Sequence, residues 1–424
     1  MLQLSYVREH KNEIIDRLKI RNFDGEKVIN EIVERDEVRR QSQTEADAQQ
    51  AELNKMSKEI GAAFKSGDRQ KAEKLKAKTG ELKTSTKELF ERVSKAERQI
   101  NNLLLSIPNV PNAQVPAGKS DEDNEVIEEF GQKPELTTDA KPHWDLAKEY
   151  DIIDFERGVK VTGAGFPIYT GKGARLQRAL ISFFLDEAER AGYKEIVPPL
   201  LVNESTGIAT GQLPDKEGQM YHVQEEDLYL IPTAEVPITN IYRDELLKKE
   251  DLPVKMCGYT PCFRREAGSY GKDVRGLNRL HQFDKVEIVQ ITRPEDSNTT
   301  LNNMVEYVKS LLAKLELNYR TLRLCGGDLG FTAALTFDLE VYSAAQKRWL
   351  EVSSISNFET YQANRLKCRF KDENNKTRLV HTLNGSALAF PRILAALIEN
   401  NQTEKGIKIP AALVPYTGFE YITK

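Results

Sequence analysis

The sequence predicts an α+β protein, with an N-terminal antiparallel α-helical coiled-coil arm followed by an antiparallel β-sheet flanked by helices. Three observations predict it. In a long stretch free of proline, apolar residues recur every seven positions at Leu75, Leu82, Leu89, Ala96 and Leu103, the repeat of a helical seam. Prolines 108, 111 and 116 and the acidic run Asp121 to Phe130 then mark a domain boundary near residue 110. Beyond it, helical stretches alternate with short strand-like runs joined by short loops, which favours antiparallel pairing over parallel crossovers.

The length of 424 residues suits two or three domains, drawn here as 1–110 and 111–424. Net charge is −4, so any nucleic-acid contact needs a local basic patch. The N-terminus, MLQLSYVREHKNEII, is broken by charge, and no later run approaches the roughly 20 apolar residues of a membrane helix. A soluble, cytoplasmic protein with no membrane partner is the expectation. Cys257, Cys262, Cys325 and Cys368 form no C-x-x-C pair, so no zinc and no disulfide framework is expected.

Val7, Ile14, Ile15 and Leu18 give the first residues an amphipathic pattern, broken from Asn22 to Gly25. The helical hairpin follows, from about residue 26 to about residue 104. Its first limb has seam residues Leu53, Met56, Ile60 and Phe64, preceded by a polar seam at Arg39, Ser42, Ala46 and Gln49, where pairing should be weak. Ser66-Gly67-Asp68 supplies the turn and a helix N-cap. The second limb, Arg69 to Arg98, holds ten basic and five acidic residues. Such a run is usually a solvated face.

In the second part, helices are expected over Ala174 to Ala191 and Asn302 to Leu315. Strands are expected over Leu228 to Ile231, Tyr259 to Glu266, Phe283 to Ile291, Phe337 to Tyr342, Trp349 to Ser353 and Leu379 to Asn384. Gly163-Ala164-Gly165 lacks the third glycine of a dinucleotide fingerprint, and Gly171-Lys172-Gly173 lacks the hydroxyl of a P-loop, so both read as loop glycines. A nucleotide would then be held by arginines on an antiparallel sheet. From Gly258 to Glu287, two strands flank a loop in which Gly268, Gly271 and Gly276 alternate with Lys272, Arg275 and Arg279. By strand alternation Arg264 and Glu266 point one way, and Phe283, Lys285 and Glu287 share a face. A strand ending at Asn384 passes through Gly385 and Ser386 into an apolar helix with Pro391 and Arg392 near its start, a place that favours an anion. In EVSSISN, Glu351 and Ser354 are oxygen donors suited to magnesium, but a regular strand puts them on opposite faces. Joint ligation requires the strand to end or bulge near Ser353.

Several stretches, in order, resemble a bacterial-type seryl-tRNA synthetase, a family of class II aminoacyl-tRNA synthetases. They are PNVPNAQVPAG, Pro198-Pro199 after a long helix, PTAEVPITN, FRREAGSYG with HQFDKVE, EVSSISN and NGSALAFPR. The resemblance implies a class II synthetase domain over 111–424 and a tRNA-binding domain over 1–110. It also implies activation of L-serine with ATP and transfer to tRNA(Ser), with tRNA(Sec) as a further candidate.

By the same resemblance, Arg264 and Arg392 are the catalytic arginines. ATP is met by Arg264, Arg265, Glu266, Arg275, Phe283, Glu351, Val352, Ser353, Ser354 and Arg392. Serine is surrounded by Thr233, Ala234, Glu235, Arg264, Glu287, Asn384 and Ser386. Mg²⁺, arriving with the substrate ATP, is held by Glu351 and Ser354. A homodimer joined around Ala174 to Pro199 is implied too, as is a mobile cover in the glycine-rich loop. His281 braces the hairpin rather than reacting. The second basic limb becomes the contact for the long variable arm of the tRNA. Pro167, Lys172 and Asn364 depart from the family pattern, which touches local strand geometry and one tRNA or dimer contact. Two rivals stand beside this reading. A homologue that loads a carrier protein would lack the basic hairpin, and a non-catalytic coiled-coil protein would lack Arg264, Arg392 and Glu351.

Overall fold

The heptad becomes two long helices because each turns one narrow apolar stripe inward. In a computed structural model describing residues 1–136, 140–215, 218–266 and 275–424, short helices α1 (Leu4–Glu9) and α2 (Lys11–Lys19) precede α3 (Glu26–Lys65) and α4 (Arg69–Ser106). Asp68 caps α4, its carboxylate accepting from the Lys71 N–H at 3.0 Å. On α4 the buried seam runs through Ala72, Thr86, Leu89, Val93, Ala96 and Ile100. On α3 it includes the polar positions Asp36 and Ser42 beside Ala46. Phe64 is a correction to the expected seam: it is exposed, and Ala63, seven residues after Met56, is buried instead. The polar seam is specifically paired, since Thr86 Oγ1 donates to Gln49 Oε1 at 3.1 Å.

Two units are defined by their internal contacts: Leu2–Lys19 with Phe23–Pro108, and Met1, Ile20–Asn22 and Asn109–Lys424. The second is built on an eight-stranded sheet. Its strands are β1 (Glu125–Phe130), β2 (Lys194–Glu195), β3 (Val254–Phe263), β4 (Gln282–Thr292), β5 (Tyr319–Arg323), β6 (Leu335–Ser343), β7 (Arg348–Glu359) and β8 (His381–Ala389). Their spatial order is β1-β5-β6-β7-β8-β4-β3-β2, antiparallel throughout except for the parallel β2–β3 edge. Helices α5 (His143–Glu149), α6 (Gly171–Arg190), α7 (Glu235–Asn240), α8 (Ser297–Lys314), α9 (Thr360–Leu366) and α10 (Phe390–Asn400) are among the elements around this sheet. Leu180, Phe184, Leu311, Leu394 and Leu397 from α6, α8 and α10 pack on Ile288, Leu339, Val352 and Ile355 of the sheet, giving one face a continuous apolar core.

Three sequence expectations change. β7 runs on to Glu359 rather than stopping near Ser353, and β8 continues through Gly385 and Ser386 to Ala389. β3 ends at Phe263, and Glu266 has φ +48°, so Arg264 and Glu266 do not share an extended strand. Gly171, Lys172 and Gly173 open α6 rather than forming a loop; a Cβ on Gly173 would sit 2.1 Å from the Ile152 carbonyl oxygen.

Asp36, on α3, is 1 % exposed and lies 2.7 Å from Arg39, 3.2 Å from Arg8 and 3.2 Å from Arg40. Asp36→Asn keeps the shape and removes the charge these guanidiniums surround, so a loss of about 1–3 kcal/mol is expected. Urea unfolding of the purified protein followed by helical circular dichroism checks this; an unchanged midpoint would show the cluster to be energetically silent.

Candidate active site

The other face of the sheet is polar because register brings its polar residues together. Residues opposite one another across a ladder share a face. Glu287 faces Gly258 on one side and Ser386 on the other, Lys285 faces Thr260, and Phe283 faces Cys262. Asn384 faces Ser356, Ser356 faces Thr336, and Ser354 faces Asp338. A bulge in β7 extends the series: Leu339 pairs with Ser353 but Glu340 with Glu351, leaving Val352 as the extra residue. Glu351 and Ser354, three apart in sequence, therefore lie on the same face. The bulge required for joint ligation is present.

At one end of this face is a buried charged pocket. Lys285 Nζ lies 2.5 Å from Glu287 Oε2 and donates to Thr233 Oγ1 at 2.9 Å, while the Thr233 hydroxyl is 3.3 Å from Glu287 Oε2. Glu235, the first residue of α7, accepts from Gln362 Nε2 at 2.6 Å, and Gln362 Oε1 accepts from the Thr382 hydroxyl at 2.8 Å. Burial, then the nearby Glu287 carboxylate, pushes the Glu235 carboxyl up to about 7. Asn384 and Ser386 are buried on the adjoining strand, and Ala234 is packed in the apolar cluster beneath. A small ligand carrying an ammonium and a hydroxyl fits such a set of oxygens.

Arg264 stands beside this pocket, its guanidinium 5.2 Å from the Phe283 ring centroid and Nε 3.4 Å from the Pro232 carbonyl oxygen. His281 braces its backbone, accepting at its carbonyl from the Arg264 N–H at 2.9 Å, with Nδ1 3.0 Å from the Arg264 carbonyl oxygen. Arg265 is exposed, and Glu266 is ion-paired with Arg279.

Farther along, Arg392 Nη1 donates to the Glu351 carbonyl at 2.8 Å and lies 3.2 Å from its carboxylate. Burial, then Glu351, holds the Asp338 carboxyl well above the usual carboxylate range, and Asp338 Oδ1 has no hydrogen-bond partner. Glu340, also raised by burial, is ion-paired with Arg320. An orphaned buried carboxylate oxygen beside Glu351 and Ser354 is chemistry that fits a hard cation. Among the described residues no three His, Cys, Asp or Glu side chains already converge as a metal cluster.

The family model described as the class II tRNA synthetase core domain (G, H, P, S and T) matches residues 220–401, and that of the seryl-tRNA synthetase N-terminal domain matches residues 1–111. A serine–tRNA ligase of Salinibacter ruber is 50% identical over 100% of this chain and 99% of its own length. The chain belongs to the seryl-tRNA synthetase family. The fold of this family member matches a seryl-tRNA synthetase from Pyrococcus horikoshii, solved with ATP, at TM-score 0.93 and 35% identity over 100% of this chain and 99% of that one. A cytoplasmic enzyme from Naegleria fowleri, solved with AMP, follows at TM-score 0.88 and 26% identity, with 100% and 99% covered. The two rival readings, a carrier-protein loader and a non-catalytic coiled-coil protein, fall to this full-length match.

The structure thus gathers Thr233, Glu235, Glu287, Asn384 and Ser386 with Arg264 and Phe283, and Glu351 and Ser354 with Arg392. It turns two expected nucleotide contacts away: the Val352 side chain is in the core, and Ser353 Oγ donates to the Ser386 carbonyl at 2.6 Å. Only their backbone is left for a ligand. Arg275 lies over Trp144, 4.7 Å from its ring centroid. Gly268, Gly271 and Lys272 of the expected cover lie outside the described residues. Sequence reasoning assigned no role to Lys285, Gln362, Thr382 or Asp338. Lys285 carried a signal, a lysine on the same strand face as Phe283 and Glu287; the others lack one without the register.

Because the folded Glu235 pKa of about 7 exceeds the ordinary 4.5, the native state holds a proton that the unfolded chain has released. That carboxyl therefore costs stability progressively as pH rises from about 4.5 to 7. Glu235→Gln retains the acceptor for Gln362 and cannot ionise, so its stability relative to the parent should rise by a few kcal/mol between pH 5 and 8. Parallel denaturation midpoints for the two proteins across that range would contradict the assignment.

Proposed function

We propose that this chain works as a serine–tRNA ligase with its substrates laid out along the polar face of the sheet. L-Serine reacts with ATP to give seryl-adenylate and pyrophosphate, and the seryl group then passes to tRNA(Ser). The observation that carries this layout is the unbroken series from the Lys285–Glu287–Thr233 pocket, past Arg264 and Phe283, to Ser354, Glu351 and Arg392. In it Glu287, Thr233 and Glu235 receive the serine ammonium and hydroxyl, with Ala234, Asn384 and Ser386 closing the cavity. An arriving ammonium replaces the proton on Glu235 and competes with Lys285 for Glu287.

Serine's carboxylate is already ionised near pH 7, so its attack on the α-phosphorus needs no general base. Positioning and charge neutralisation remain. Arg264 meets the carboxylate and α-phosphate together; Phe283 offers a flat ring to adenine; Arg265 and Glu266 flank the nucleotide. Arg392 holds the far phosphates with Arg275 as helper. Mg²⁺, held by Glu351 and Ser354, supplies charge neutralisation across the phosphates when bound. A pocket that hydrogen-bonds a hydroxyl rejects alanine strongly, whereas threonine must be excluded by size.

Residues 1–110 serve as the tRNA-binding domain and 111–424 as the catalytic domain. The ten basic residues of the second limb meet the variable arm, and shape-based reading makes tRNA(Sec) a second candidate substrate. A homodimer is supported by apolar residues left open beside α6, with Val197 86 % and Leu201 41 % exposed. The cytoplasm, where charged tRNA is used, is the proposed compartment; among the described residues no helix is long and apolar enough to cross a membrane.

Serine should drive ATP–pyrophosphate exchange without tRNA, and Arg264→Ala should lower that rate about a hundredfold or more while leaving the oligomeric state unchanged. Exchange driven better by alanine or glycine would overturn the substrate, and near-normal exchange by the variant would overturn the role of Arg264. Lys76, Lys83 and Lys87 are exposed on the second limb. Replacing all three with alanine should leave exchange unaltered, weaken charging, and reduce the salt slope of kcat/KM by about 2–3. Unchanged charging with an unchanged slope would make that limb a solvated face only.

A further inference from the structure

A fully buried acid–histidine pair lies outside the substrate-facing series. His143, at the start of α5, and Glu399, in the last turn of α10, are both 0 % exposed at their side chains, with His143 Nδ1 2.7 Å from Glu399 Oε1. The same oxygen accepts from the His143 backbone N–H at 2.8 Å and from Gln346 Nε2 at 3.0 Å, and the other oxygen accepts from the Ser343 hydroxyl. On the far side of the ring, His143 Nε2 accepts from the Leu277 backbone N–H at 2.8 Å. These partners fix the tautomer. Nδ1–H donates to the Glu399 carboxylate, and Nε2, carrying no hydrogen, accepts from the Leu277 amide.

Leu277 belongs to the turn that leads into β4. Gly276 precedes it at φ +67°, and a Cβ there would sit 2.2 Å from His143 Nε2, so glycine is what lets the turn reach the imidazole. The next residue, Asn278, is held through its Nδ2 by Gln346 Oε1 at 3.1 Å, and its carbonyl accepts from Arg392 Nε at 3.2 Å. Arg275, on the other side of Gly276, lies over Trp144, the neighbour of His143. The contacts form a closed circuit. Glu399 near the end of α10 holds His143, His143 holds the turn, and the turn holds Arg392 at the start of the same helix.

We propose that His143, oriented by Glu399, is a positioning residue for the nucleotide half of the site. It touches no substrate; through Leu277 and Asn278 it sets where Arg392 presents its charge, and through the turn it sets the base of Arg275. The inference rests on the assignment of Arg392 and Arg275 to ATP phosphates. It predicts an effect on ATP that spares serine, because the serine pocket draws on Thr233, Glu235 and Glu287, none of which contacts the circuit through the bonds described.

The test compares the full-length parent with His143→Asn, His143→Gln, Gly276→Ala and the double variant His143→Asn/Gly276→Ala, in ATP–pyrophosphate exchange and in direct ATP binding by calorimetry. Asparagine retains a donor toward Glu399 but withdraws the acceptor from Leu277; glutamine places a carbonyl oxygen near the lost Nε2. His143→Asn and Gly276→Ala should each raise KM and Kd for ATP about tenfold or more, with KM for serine within about twofold. His143→Gln should recover most of the loss, and the double variant should be little worse than either single one. The proposal is overturned if ATP parameters stay within about twofold of the parent in His143→Asn, if ATP and serine parameters worsen together without rescue by glutamine, or if the two single effects multiply. A parent without serine-dependent exchange would instead refute the assigned reaction, and the ATP-binding series would still decide the circuit.

Discussion

One extra residue in a strand decides what the polar face can bind. Without the bulge at Val352, Glu351 would turn to the apolar side and Ser354 would face the ligand alone. With it, Val352 joins the core, and Glu340, Glu351, Ser354 and Asp338 lie on one side. The cost is an interrupted ladder in the middle of the sheet. It is offset by the apolar packing of Val352 and by the Ser353 hydroxyl bonding to β8, which ties the irregular strand to the one carrying Ser386. The Glu351–Ser354 end and the Lys285–Glu287 end of the polar face are thereby fixed to the same sheet, so their separation is set by strand spacing rather than by loop conformation.

How much of this was legible in the sequence depended on whether the signal was local. The heptad gave both limbs and the Asp68 cap, since helix seams and caps are written in neighbouring residues. It misplaced Phe64 because seam positions alternate between three- and four-residue steps, and an exposed aromatic at the tip breaks the hydrophobic pattern. Arg264, Phe283, Glu287 and Arg392 stood out as polar or aromatic residues in motif-bearing stretches. Glu266 was misjudged because a single left-handed residue ends strand alternation, and a glutamate does not announce one. Asp338, Gln362 and Thr382 acquire meaning only from partners on other elements. Whether Glu351 and Ser354 could act together was left conditional on a bulge, and register supplied the answer.

The charges of the Lys285–Glu287–Thr233 pocket are paired with one another. Lys285 is ion-paired with Glu287, and Glu235, whose carboxyl burial pushes up to about 7, accepts a hydrogen bond from Gln362. A buried ion pair of this kind gives little net stability and removing one partner is costly, so its value lies in holding the Glu287 carboxylate in one orientation inside the buried pocket. In the proposed layout the serine ammonium meets carboxylates that already have partners, so none has to be desolvated unpaired. The hydroxyls and amides around them, Thr233, Thr382 and Gln362, keep those partners within one set of hydrogen bonds.

The same economy is visible at the nucleotide end, where the long reach of arginine is a liability. A guanidinium on the first turn of a helix has many rotamers, and each unwanted one costs binding free energy when ATP must select among them. Arg392 is restrained from two sides, by the Glu351 carbonyl and carboxylate and by the Asn278 carbonyl. The second restraint is only as firm as the turn that presents it, Gly276 to Asn278. Tying that turn to a buried imidazole, and the imidazole to a carboxylate two turns along Arg392's own helix, makes the restraint part of the packed core. The arginine's position then follows from the fold of α10 itself.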